Sequence, residues 1–218
     1  MVYGGDSGEC KPITLATLRK MRETGEPIAC LTAYDASFAR RVDEAGMDLV
    51  LVGDSLGMVV QGQASTVPVS MDDMIYHTRL VARGLRRAYL VADMPFLSYV
   101  EPREAVKNAG RLMQEAGARM VKLEGTGAQA GIVAALAANG IPVCAHLGLR
   151  PQAVEKTGGF RIQGREPEAA AQMIEDARRL EAAGADIILL ECIPRLLAKR
   201  IHEAVSVPVI GIGAGGDV

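Results

Sequence analysis

The chain has 218 residues, 49% of them hydrophobic but only 4% aromatic and none of them Trp, a size for one domain built on an aliphatic core that buries roughly 70% of the unfolded surface. Its 24 basic and 26 acidic residues are interspersed and leave a formal net charge of −2, which excludes a basic stripe for nucleic acid and a polybasic membrane patch, so small molecules are the expected partners. No run approaches the roughly 18 apolar residues of a membrane span, and MVYGGDSGEC lacks an apolar signal core, so a soluble cytoplasmic protein is expected.

In chain order, a flexible Gly-rich tail over residues 1–10 precedes a capping helix near ITLATLRKMRETG. Strands then alternate with helices: Ile28 to Tyr34, Leu49 to Ser55, Tyr89 to Pro95, Met120 to Gly125, Pro142 to Gly148, Asp186 to Ile193 and Val207 to Gly213. The helices between them carry apolar residues at i, i+3, i+4 spacing, as in Met74, Ile75, Thr78, Leu80 and Val81, or Ala105, Ala109, Leu112, Met113 and Ala116,. Three helix-to-strand joints repeat one pattern, EAGMDLVLVGD, EAGARMVKLEG and AAGADIILLEC, in which a helix closes on Gly before a buried strand.

Such βαβ alternation implies parallel strands with right-handed crossovers. The expected fold is therefore α/β, a TIM-type (β/α)8 barrel, as a single domain over 1–218. Seven strands are read where a closed barrel of this class needs eight, and the sequence ends at VIGIGAGGDV. The eighth βα unit is absent from it, and a missing C-terminal segment is expected.

Two connections are longer than usual: LGMVVQGQASTVPVSMDD, and the stretch from Leu149 through EKTGGFRIQG to Arg165. Both leave strand ends that carry polar residues, which makes them either lids or braces of the barrel or an oligomer interface. Cys10, Cys30, Cys144 and Cys192 form no C-x-x-C pair. The last three lie in apolar runs, where buried reduced thiols are expected. The run VIGIGAGG lacks the G-x-G-x-x-G spacing of a dinucleotide cradle and is a weak phosphate signal.

Five strand-like runs, LVLVGDS, YLVADMP, MVKLEG, PVCAHLG and IILLECI, each end in a residue able to bind a metal or move a proton. Asp54, Asp93, Glu124, His146 and Glu191 would thus meet on the C-terminal rim, where this barrel class places its chemistry. Asp54 and Asp93 suit Mg²⁺, a hard cation that takes carboxylates and keeps several waters, with Glu124 as a third ligand directly or through water. An N-cap role is the alternative for any one of these acids.

Lys122 and Glu124, two apart in a strand, point to the same side. Lys122 would bind a substrate carboxylate, form a Schiff base, or make a salt bridge to Glu124. His146 is either a hydrogen-bonding group for a metal water or substrate oxygen, or a satisfied core residue. Glu191, flanked by apolar residues in IILLECI, should have a raised pKa and serve as a proton acceptor near neutrality; otherwise it partners His146 or Lys122.

Taken together, LTAYD, VGDSLGMVVQG, TVPV, ADMPF, VKLEG, HLGL-x-PQ, GGF-x-x-QGR, LEC-x-P and IGIGAG resemble the ketopantoate hydroxymethyltransferase family, from about Ile28 to the end. That family belongs to the barrel superfamily of phosphoenolpyruvate mutase and isocitrate lyase. The resemblance implies hydroxymethyl transfer from 5,10-methylenetetrahydrofolate to 3-methyl-2-oxobutanoate, giving ketopantoate on the route to pantothenate. It also implies Mg²⁺ on Asp54, Asp93 and Glu124, the keto acid held by Asp54, Ser55, Asp93 and Lys122, Glu191 as general base, and a homo-oligomer, a decamer in the family. Departure from the family's length at the C-terminus bears on barrel closure and on part of the folate site. Rival readings are a Mg²⁺-dependent carbon–carbon lyase of the same superfamily, a lysine-type aldolase acting through Lys122, and a non-catalytic barrel.

Overall fold

The structure is a computed structural model that describes residues 11–218. The tail over 1–10 and Cys10 lie outside the described residues. Seven parallel strands form one sheet in the order β1-β2-β3-β4-β5-β6-β7, so every strand lies beside its sequence neighbour. They are β1 Cys30–Thr32, β2 Leu49–Val52, β3 Tyr89–Asp93, β4 Met120–Glu124, β5 Val143–Gly148, β6 Ile187–Glu191 and β7 Val209–Ile212. Sequential parallel pairing curls the sheet into a nearly closed barrel, with β1 and β7 as its outer strands. The strands are shorter than the apolar runs suggested, because several run ends turn into loops at the rim.

The helices are α1 Leu15–Thr24, α2 Ala36–Glu44, α3 Leu56–Val59, α4 Met71–Gly84, α5 Pro102–Ala116, α6 Ala130–Ala138, α7 Val154–Thr157, α8 Pro167–Ala182 and α9 Arg195–Ala204. The repeated joints have a common conformational cause. After α2, α5 and α8 the chain passes through Gly46, Gly117 and Gly184 at φ of 88°, 82° and 105°, a left-handed region that costs glycine little and reverses the chain into the next strand. Among the described residues no helix is long and apolar enough to cross a membrane.

Two apolar clusters follow from the two faces of the strands. Val50, Val52, Leu90, Ala92, Val121, Leu123, Ala145, Leu147, Ile188 and Leu190 face the helices and belong to the larger cluster. Leu49, Leu51, Tyr89, Val91, Met120, Cys144, Ile187 and Leu189 fill the lumen, where Ile13, Leu18 and Met21 join them. Helix α1 therefore plugs the N-terminal end of the barrel. Its guanidinium Arg22 donates to the carbonyls of His202 and Val205, and Arg119 Nη1 donates to Ile13 O at 2.6 Å.

Cys30, Cys144 and Cys192 are all free thiols, but only Cys144 is fully buried. Cys30 and Cys192 are half-buried: Cys30 packs against the lumen cluster from the outer strand β1, and Cys192 lies just past the end of β6.

Candidate active site

The lumen-facing register continues upward from the apolar plug. Two residues beyond Val91 comes Asp93; beyond Met120 come Lys122 and Glu124; beyond Cys144 comes His146; beyond Leu189 comes Glu191. Because side chains alternate with period two, the face that is apolar at the bottom of the barrel becomes charged at the top. Asp93 lies opposite Lys122 in the β3–β4 ladder, and Glu124 lies opposite His146 in the β4–β5 ladder. Asp54 joins from the turn after β2, where its backbone N–H donates to Asp93 Oδ2 at 3.0 Å.

None of these acids caps a helix. The N-cap of α3 is Ser55, and it makes no side-chain cap hydrogen bond; Ser55 Oγ instead lies 2.8 Å from the hydroxyl of Tyr34. Gly53 is required by the same crowding, since a Cβ there would fall 2.8 Å from Ser55 Oγ and 3.5 Å from Asp93 Oδ2,.

Lys122 Nζ donates to Asp93 Oδ1 at 2.7 Å. The salt bridge expected to Glu124 is thus made to Asp93, the residue facing Lys122 across the ladder. Burial alone would favour the neutral amine, but Asp93, Glu124 and Asp54 outweigh it and raise the Lys122 pKa. These acids thus favour the ammonium form of Lys122.

One ammonium does not balance three buried carboxyl groups. Burial, then the charge of Asp93, pushes Asp54 up to about 7, against the opposing pull of Lys122 and Gln152. Burial likewise pushes Glu124 up to about 8, although Lys122 draws it down. The excess of buried acid over buried base is the electrostatic signature of a place for a cation. Among the described residues no three His, Cys, Asp or Glu side chains converge on one ion-sized position. The donors present are carboxylate oxygens, the chemistry a hard divalent ion such as Mg²⁺ accepts, and an ion held by so few of them would need water or substrate oxygens to complete its shell.

His146 is almost completely buried, yet neither ring nitrogen has a hydrogen-bond partner. Nε2 stands 3.5 Å from Glu191 Oε2 and Nδ1 stands 3.9 Å from Glu124 Oε1. Burial first, then the Lys122 charge, holds its pKa well below the usual range, so the imidazole is neutral. Its ring stands between Glu191 and Glu124, with the Leu149 backbone acting on it as well. Glu191, whose side chain keeps 19% of its exposure, is the most accessible of the acids, and burial raises its pKa as its apolar flanks predict.

Residues missed at the level of sequence complete the arrangement. Gln152, Tyr99 and Tyr34 all touch the cluster, and Gln152 stood in view within HLGL-x-PQ. Nothing in its local pattern marks it, because its contacts are with residues 28 to 98 positions away. It also anchors the start of the second long loop, which begins with a buried residue locked onto the acids. The first long loop is anchored likewise, by buried Leu56, Thr66 and Val69.

Comparison with known proteins agrees with the geometry. The family model described as ketopantoate hydroxymethyltransferase matches residues 12–218. A 3-methyl-2-oxobutanoate hydroxymethyltransferase of Halorhodospira halophila is 58% identical over 204 residues, covering 94% of this chain and 74% of that protein. The chain belongs to the ketopantoate hydroxymethyltransferase family. Its members are transferases, and its structural neighbours include a member of the phosphoenolpyruvate mutase and isocitrate lyase superfamily. A 2,3-dimethylmalate lyase of that superfamily aligns with a TM-score of 0.62 at 16% identity, over 91% of this chain and 80% of that one. A phosphonopyruvate hydrolase solved with oxalate and Mg²⁺ aligns with a TM-score of 0.64 at 16% identity, again over 91% and 80%. At these identities the structural likeness concerns the fold alone.

Proposed function

We propose that the protein transfers a hydroxymethyl group from 5,10-methylenetetrahydrofolate to 3-methyl-2-oxobutanoate, giving ketopantoate. The observation that carries this reading is the meeting of Asp54, Asp93, Lys122, Glu124, His146 and Glu191 at the C-terminal end of one barrel, in a chain 58% identical to an enzyme of that name. The excess of buried acid supports a Mg²⁺ site on Asp54 and Asp93, with Glu124 beside it. Bound there, Mg²⁺ supplies electron withdrawal from the 2-oxo acid and so acidifies its C3 proton.

The remaining work falls to side chains. Glu191 takes the C3 proton, and its raised pKa strengthens it as a base near neutral pH,. The Lys122 ammonium offers positive charge to the substrate carboxylate, while Ser55 and neutral His146 offer hydrogen bonds to its oxygens. The C3 carbanion bonds to the one-carbon unit of the opened folate; the carbon–nitrogen bond to folate then breaks as water gives its hydroxyl to that carbon and its proton to the departing nitrogen, releasing tetrahydrofolate. The long connections over residues 56–73 and 149–165, which leave the strand ends that carry these acids, would position the folate and exclude water.

The lysine-aldolase alternative is disfavoured by the ion pair at 2.7 Å between Lys122 and Asp93. A Schiff base needs a free amine lone pair, and this environment keeps the proton on nitrogen.

The test is solvent exchange. With 3-methyl-2-oxobutanoate in D₂O, loss of the C3 proton is followed by NMR with Mg²⁺ or with excess EDTA. Metal-dependent exchange, together with formation of ketopantoate when the folate is added, is expected. Exchange that survives EDTA would move the chemistry to an imine on Lys122. Absence of exchange from folded protein supplied with Mg²⁺ would refute the enolisation.

A further inference from the structure

We infer that Gln152 is a positioning residue that sets the orientation of Asp54, and thereby tunes divalent-cation binding; this rests on the cation site proposed above. Gln152 lies in a turn of 3₁₀-helix, Pro151–Ala153, just beyond β5, and only 6% of its surface is exposed. Its Nε2 donates to Asp54 Oδ2 at 2.7 Å and to Met94 O at 2.9 Å. Its Oε1 accepts from the Tyr99 hydroxyl at 2.5 Å. Its backbone N–H donates to Glu124 Oε2 at 3.1 Å.

The direction of every bond in this set follows from one fact. Met94 O is a carbonyl and can only accept, so the NH₂ end of the amide must face it. The same NH₂ group then faces Asp54, and Oδ2 of Asp54 must be the acceptor. The remaining amide oxygen can only accept, so it takes the Tyr99 hydroxyl as donor at 2.5 Å, with the Glu124 carbonyl a second, longer acceptor for that hydroxyl at 3.2 Å. Tyr99 in turn receives the backbone N–H of Glu124 at 3.3 Å.

Both amide hydrogens and the amide oxygen are thus committed, and the Asp54 carboxylate is held by Gln152 through Oδ2 and lies beside Asp93. One residue engages an acid after β2 through its side chain and an acid on β4 through its main chain. Such outer hydrogen bonds to liganding carboxylates commonly alter metal affinity by 10- to 100-fold.

The decisive measurement is Mn²⁺ affinity of the full chain, read from the electron paramagnetic resonance signal of free Mn²⁺ and requiring no turnover. Gln152→Met keeps the length and removes the donors; Gln152→Asn keeps the amide but shortens its reach, and serves if the first variant does not fold. Thermal unfolding establishes which variants are folded. Folded variants should bind Mn²⁺ on the order of 10- to 100-fold more weakly than the parent. A role confined to structure would lower the unfolding temperature and leave the affinity of the folded fraction unchanged, and that result would overturn the inference. Absence of Mn²⁺ binding by the parent would overturn the cation site itself, and this inference with it.

Discussion

Lys122 and Asp93 face each other across the β3–β4 ladder and close a 2.7 Å ion pair with 5% and 4% of their side-chain surfaces exposed. Lys122 is a fully buried cation placed among the acids of the rim. Replacing Lys122 by Met should therefore cost on the order of 3–5 kcal/mol, the usual penalty for stranding a buried charge. Denaturant unfolding at neutral pH measures it. A loss below about 1 kcal/mol would mean that the acids neutralise one another by sharing protons and that the ammonium is dispensable to the fold.

Stability without divalent ions should fall as pH rises from about 4 to about 8. Asp54 and Glu124 have folded pKa values near 7 and 8, above unfolded values of about 3.9 and 4.3. Between those limits the folded chain binds more protons than the unfolded one, so raising the pH favours unfolding. Thermal unfolding in EDTA across this range should show the decline, and Glu124→Gln should flatten it. A stability that rose from pH 5 to pH 8 in EDTA, with no difference in the variant, would contradict these shifts.

Glu191→Gln should slow C3 proton exchange on the order of 100-fold or more, because an amide cannot accept the proton. Mn²⁺ affinity should change little, since Glu191 stands by His146 and not by the Asp54–Asp93 pair. NMR exchange and metal titration on the same sample separate the two effects. Full exchange by the variant would remove Glu191 from the role of base.

Gly148→Ala should impair the site from a position that carries no functional group. Gly148 has φ of 97°, and a Cβ there would fall within the van der Waals shell of the Glu191 carbonyl oxygen. Leu149 N–H also donates to that oxygen, at 2.8 Å. The strain should cost about 1–3 kcal/mol in stability and shift Glu191, lowering kcat more than KM for the keto acid rises. Unchanged kcat with full stability would show that the β5–β6 junction yields easily.

Much of the fold and part of the site are legible in the linear chain. The alternation of apolar runs with amphipathic helices is a local signal, and period two along each strand already places Lys122 with Glu124 and predicts that burial raises Glu191. Glycine after each of three helices is local as well, since the left-handed turn is a property of a single residue. Pairings between strands are different: that Lys122 answers Asp93 rather than Glu124 depends on the register of β3 against β4. That His146 is buried beside Glu124 and Glu191 depends on packing between strands, and that Gln152 reaches Glu124 and Asp54 depends on contacts across 28 and 98 residues. Local pattern thus determined which residue types arrive at the rim and on which face of their strands. Register and packing decided which of them share a proton, a charge or a hydrogen bond, because those energies depend on angstrom-scale distances that exist only once the barrel is formed.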